Sequence, residues 1–161
     1  MPPVDALRED ALVYRRIVVP VSGDWRDRFA INLSRAVAKL HGTDLTLVYV
    51  VEVPRALPLD ADLPRDIEHG EQVLSSAADY ARSVGDGSWL HVVTELLQAR
   101  SAAAAVVDEA IDREADAIVL AASNRLEHGV LTQGETVPYV FKNAPCDVLV
   151  VRARSEDEDQ A

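Results

Sequence analysis

The 161-residue chain is short of cysteine, aromatics and positive charge, and each shortage closes off a class of protein. A single cysteine, Cys146, allows no internal disulfide and reads as a small buried residue. Four histidines (His41, His69, His91 and His128) share no ligand-like spacing with it or with one another, so neither a zinc site nor a Cys-His catalytic pair is supported. Lys and Arg number 16 against 27 Asp and Glu, a formal charge of −11. That balance repels nucleic-acid phosphates and anionic headgroups, which leaves small anions held by backbone N–H groups as the only anionic ligands to consider. No apolar run approaches the length of a membrane span, so direct membrane insertion is not expected. The opening "MPPVDALREDALVYRR" has acids where a signal peptide would need a basic and then an apolar region, which points to the cytoplasm. Neither a Walker GxxxxGK[ST] nor a nucleophile-elbow GxSxG occurs, and no catalytic residues are expected.

What the chain does have is aliphatic: 48% of its residues are apolar while only 5% are aromatic, the filling of an α/β layer fold. Its length suits one domain. Residues 1–13 and the acidic tail 154–161 have little to bury and read as solvated segments flanking a domain at 14–153. Within it, "RRIVVPV" (Arg15–Val21) reads as a strand stopped by "SGD", with Asp24 placed to cap a helix. Ala30, Leu33, Val37 and Leu40 give that helix an apolar stripe that Gly42 ends. Strand two spans Asp44–Val53, and the Pro-rich "PRALPLDADLP" after it is a long loop. Asp60, Asp62 and Asp66 in and after this loop lack a metal-loop pattern and read as solvent-facing. Helix two (Asp66–Val84), strand three (Leu90–Leu97), helix three from its cap at Ser101 to Ala115, and strand four (Asp116–Ser123) follow, with a last strand at Asp147–Ala153. The βαβαβαβαβ order requires right-handed crossovers and parallel strands: a single doubly wound five-stranded sheet with helices on both faces. Ligands of such sheets bind beyond the carboxyl ends of the strands where the order reverses, here at the ends of strands one and four.

"IVVPVSGDWRDRFAINLSRAVAKLHGTDLTLVYVVE", "ADAIVLAASNR" and "LTQGETVPYVFKNAPCDVLVVR" together resemble the universal stress protein family over about residues 14–152. The resemblance implies an adenine nucleotide alpha hydrolase-like α/β fold with strand order 3-2-1-4-5 and a homodimer formed through the last strand, Asp147–Ala153. An unpaired apolar edge calls for such a partner on physical grounds as well. It also implies a non-catalytic role in stress response or transport regulation, with a transporter as a possible protein partner.

Nucleotide-binding members of that family carry GxxG, nine residues, then Gly and Ser or Thr after strand four. Aligned on Gly134, the first two glycines fall on Ala121 and Asn124 and the hydroxyl residue on Glu135. The family's Asp after strand one is Ser22 here, and "ARS" (Ala99–Ser101) replaces its Gly-Asp-Pro at helix three. Such departures fit the family's transporter-associated branch and a degenerate motif. Ala121 narrows the approach by a methyl group, whereas Asn124 tolerates a left-handed backbone. Glu135 either caps its helix, worth about 0.3–1 kcal/mol, or confronts a phosphate with a like charge, at about 1 kcal/mol in water and several when partly desolvated. Arg125 and His128 read as surface residues. The expectation is a site at Val21, Ser22, Ser123, Asn124, Gly134, Glu135 and Thr136 that holds no cofactor tightly, with ATP or AMP as the alternative ligand.

Overall fold

A computed structural model describes residues 14–38, 42–83, 90–123, 125–127, 130–132 and 136–153. Five strands make one parallel sheet: β1 (Arg16–Pro20), β2 (Thr43–Glu52), β3 (Leu90–Ala99), β4 (Ala117–Ala122) and, closing it, β7 (Asp147–Arg152). Their order is β3-β2-β1-β4-β7, the 3-2-1-4-5 arrangement expected. Helices α1 (Arg26–Val37), α2 (Pro64–Ser83), α3 (Ala102–Asp112) and α4 (Thr136–Asn143) provide the crossovers.

Alternation along the strands sorts the core into two layers. Ile17 and Val19 of β1, Leu45 and Leu47 of β2, and Ala117 and Val119 of β4 pack with α1 and α2. Val18, Val48, Ile118 and Leu120 point the other way, onto Val106, Val107 and Ala110 of α3 and Val140 of α4. With both faces covered the central strands can be almost wholly apolar, because successive side chains meet a helix on either side. The start of β1 is fastened to its neighbours by polar groups: Asp116 accepts from the N–H groups of Arg15 (2.8 Å) and Arg16 (2.9 Å), and the Tyr14 hydroxyl donates to Asp147 (2.9 Å).

Several local expectations need correction. Helix α1 ends at Val37, before Gly42: Ala38 turns extended and bridges to Tyr14 in parallel, so tertiary pairing ends the helix and Gly42, with φ +77°, directly precedes β2. Leu40 lies outside the described residues. The deepest positions of α1 are Ala30, Ile31 and Ser34, with Leu33 and Val37 half-buried beside them; the Ser34 hydroxyl is satisfied by donating to the Ala30 carbonyl at 2.7 Å. Asp24 does act at the start of α1, but from one residue outside the cap position, which is Trp25; its Oδ1 accepts from the Arg26 N–H at 2.9 Å. Helix α3 is capped by Ser101 as expected, its Oγ accepting from the Ala104 N–H at 3.3 Å. It stops at Asp112 where Ala115 was expected, because Glu114 adopts a left-handed conformation (φ 51°) and Ala115 donates back to Ala110 at 2.9 Å. The segment after β4 contains a small antiparallel hairpin, β5 (Arg125–Glu127) with β6 (Val130–Thr132).

Candidate ligand crevice at the switch point

The register of β1 explains why a crevice opens. Along β2 it pairs over its full length, from Arg16 opposite Asp44 to Pro20 opposite Val48, and Val21 adds a bond to the Val48 carbonyl at 2.9 Å. Against β4 it pairs only at Ile17 and Val18. Beyond Val18 the two strands diverge, since their crossovers leave on opposite faces of the sheet. The gap is a cavity of about 530 Å³, within the span of small-ligand sites.

Of the residues expected here from sequence, Val21, Ser22, Ser123 and Thr136 line this one cavity, brought together from the ends of β1 and β4 and the start of α4. Ala121 lines it too. Asn124, Gly134 and Glu135 lie outside the described residues.

Its polar chemistry comes largely from residues that sequence reasoning passed over. The carboxylate of Asp27 turns back from the first turn of α1 and accepts from the N–H of Ser22 (3.0 Å) and of Gly23 (2.7 Å). Gly23 holds φ +90°, which lets two successive amides point at one anion; a side chain here would also meet Val73 at 2.7 Å. Burial raises the Asp27 carboxyl above its ordinary value, opposed by those two amides and reinforced by the Asp24 charge. On the α3 side, Glu52 at the end of β2 accepts from the Ala102 N–H at 3.0 Å. Arg26 is the one cation among the described residues lining the cavity; it is bound to Asp24 through Nε at 3.0 Å and through a second, short contact, and its Nη1 donates to Ser123 Oγ at 3.2 Å. Burial works to raise Asp24, but the hydrogen bonds and charge of Arg26 carry it below its ordinary value.

A signal for Asp27 does exist in the sequence. It is an acid in the first turn of a helix, where a carboxylate is placed near the free N–H groups that precede and begin the helix. Glu52 had none, because it meets Ala102 only after β2 and α3 are packed, 50 residues apart in the chain.

Among the described residues no three His, Cys, Asp or Glu side chains are placed to hold a metal ion, and no helix is long and apolar enough to cross a membrane. His91 pairs with the Asp44 carboxylate at 3.0 Å on the open surface.

A parallel sheet in this order with a crevice at its reversal defines the chain as a doubly wound α/β protein. The chain belongs to the universal stress protein family, whose pattern it matches over residues 13–152. It is 26% identical to a universal stress protein of Methanocaldococcus jannaschii over 152 residues, 91% of this chain and 86% of that one. It is 29% identical to a putative universal stress protein of Staphylococcus epidermidis, over 91% of this chain and 89% of its relative. Among solved structures, the universal stress protein UspA from Lactobacillus plantarum superposes with a TM-score of 0.63 at 27% identity, covering 87% of this chain and 99% of that one. The fold is shared too with a universal stress protein from Archaeoglobus fulgidus in complex with dAMP (TM-score 0.60, 21% identity, 87% of this chain and 99% of that one).

Proposed function

We propose that this chain is a non-catalytic regulatory module of stress response or transport control, working as a homodimer and without tight ATP binding. One observation carries this reading: among the described residues, polar groups around the crevice that could receive an anion are already engaged by the chain's own acids. Asp27 holds the amides of Ser22 and Gly23, Glu52 holds that of Ala102, and Asp24 neutralises Arg26. A triphosphate entering the crevice would meet the Asp27 carboxylate in its wall, a like charge worth about 1 kcal/mol of repulsion at 4 Å in water and about 4 kcal/mol near a protein surface. The dimer is supported by β7, which among the described residues pairs with β4 alone and so leaves its outer edge open to a second copy. Titration calorimetry with ATP, ADP, AMP, cyclic AMP and cyclic di-AMP tests the ligand reading, and micromolar affinity for ATP would overturn it. Sedimentation equilibrium tests the dimer, and a monomer at tens of micromolar would remove that part.

A second reading, an adenine-nucleotide sensor, is favoured by the size of the crevice and by neighbours of this fold solved with dAMP and with cyclic AMP. The monophosphate and cyclic nucleotides in the same titration decide for or against it.

A further inference from the structure

We infer that a groove between α1 and α2 is a second binding site, for an organic cation: an alkylammonium or guanidinium group carried on an apolar body. The groove has a volume of about 470 Å³, within the span of small-ligand sites, and of the described residues only Asp27 lines both it and the crevice. Buried Ile31, Val73 and Ala77 give it an apolar lining. Aromatic residues are scarce in this chain, yet two of them, Trp25 and Tyr80, stand in the groove wall. Trp25 occupies the N-cap position of α1 with no side-chain cap bond, where Ser, Thr, Asp or Asn would serve the helix better. Its ring is 42% exposed and braced by Phe29, edge to face with centroids 5.7 Å apart. A residue that breaks a local rule in this way points to a use outside its own helix. Tyr80 already carries a cation, because the Arg28 guanidinium lies over its ring at 5.0 Å from the centroid. Trp25 offers the same contact to a ligand, on the kind of ring that holds cations best. The charges agree: two carboxylates, Asp24 and Asp27, line the groove against the single cation Arg28. Arg26 neutralises Asp24, whereas Asp27 accepts from backbone amides and pairs with no Lys, Arg or His side chain among the described residues. That unpaired charge selects a cation, the rings and aliphatic lining select its apolar body, and a formal charge of −11 draws cations toward the protein.

Two sources carry this chemistry, a free amine and a basic side chain of another protein, and the probes distinguish them. Nitrogen-15 NMR follows the indole N–H of Trp25, assigned by its loss in Trp25→Phe, and the amide of Gly23 in the groove wall. Phenylethylammonium is added at constant pH and ionic strength, with phenylethanol and phenylacetate as its uncharged and anionic counterparts. The ammonium should shift both signals to saturation. The alcohol should bind about two- to fivefold more weakly, the size of one partly exposed charge pair, and phenylacetate should leave both signals in place. Asp27→Asn should abolish the preference for ammonium over alcohol. Trp25→Ala, read from Gly23, should weaken the ammonium about two- to fivefold, the range of an exposed cation–π contact, and Trp25→Phe should restore part of that loss. If Asp27→Asn loses its dispersed spectrum, the three probes on wild type and the Trp25 variants decide. The peptide acetyl-Leu-Lys-Leu-amide is the second arm: binding tighter than that of the free ammonium assigns the groove to a partner protein's side chain, and weaker binding assigns it to a small amine. Signals that ignore the ammonium, respond equally to all three probes, or shift without saturating across the whole surface would overturn the site. Micromolar ATP binding would defeat the regulatory reading and leave the groove in place, whereas an unresponsive Trp25 indole defeats the groove alone.

Discussion

Replacing Gly70 by alanine should destabilise the protein even though the change improves a helix. Gly70 is buried in α2, where alanine is intrinsically better than glycine by about 1 kcal/mol. A Cβ at this position would, however, lie 2.5 Å from Cδ1 and 2.8 Å from Cε1 of Tyr49, and 2.9 Å from Cδ1 of Leu96. The leucine methyl can swing aside, but the clash with tyrosine is at the root of the ring, and that ring is fixed edge-on against His69 with centroids 6.0 Å apart. Overpacking of this kind costs about 1–3 kcal/mol, so the net loss should be about 1 kcal/mol, a fall in Tm of about 2–4 °C for a domain of this size. Urea denaturation followed by far-UV circular dichroism measures it. In a Tyr49→Val background the ring is gone and Gly70→Ala should become neutral or stabilising, a coupling that a double-mutant cycle isolates. A gain of about 1 kcal/mol from Gly70→Ala alone would show that only the helix responds, and would refute the role given to Tyr49. Since Tyr49 also borders the crevice, the single substitution should alter any ligand affinity measured there.

Two further outcomes follow from local structure. Ser101→Ala removes the hydroxyl that caps α3 and should cost about 1 kcal/mol in the same denaturation assay, with Ser101→Asp retaining most of the stability. On acidification, the stability contributed by Asp24 is present above the ordinary carboxylate value and is lost as pH falls through its depressed folded value. Asp27 runs the other way: burial lifts its carboxyl, so folding favours the protonated form and that contribution is lost as pH rises through the lifted value. Denaturation midpoints across the acid range should therefore drop less on acidification in Asp24→Asn, and less with rising pH in Asp27→Asn; parallel profiles for wild type and both variants would refute these roles.

The architecture is legible in the chain because its signals are local and mutually consistent. The β-branched run at 16–20, the apolar middle of β2 and the Ser101 cap each suffice to place an element, and the alternation of strand and helix then implies a parallel, doubly wound sheet, whose strand order comes from the family resemblance. What escapes is decided by contacts between distant parts. Ala38 leaves α1 because Tyr14 offers it a bridge, and Glu114 ends α3 in a conformation more usual for glycine. The three-residue strands of the β5–β6 hairpin carry too short a pattern to register. In the crevice, four of the positions inferred from the family resemblance (Val21, Ser22, Ser123 and Thr136) do meet. Asp27 in its wall and Glu52 beside it engage backbone N–H groups, which a reading of side-chain motifs does not display.

The central place of β1 has a consequence for how the protein comes into being. Of the five sheet strands it is synthesised first, yet one of its edges waits for β4, whose Ala117 pairs with Ile17 across a hundred residues of chain. At translation rates of 5–20 residues per second that edge stays open for roughly 5–20 s. Until β4 arrives the apolar β1 lacks its partner on that edge, and an unpaired strand edge is the kind of surface on which nascent chains join one another. Supply of the final β4–α4–β7 segment in trans, to ribosome-stalled chains ending near Asp112, would show whether the margin remains competent while it waits.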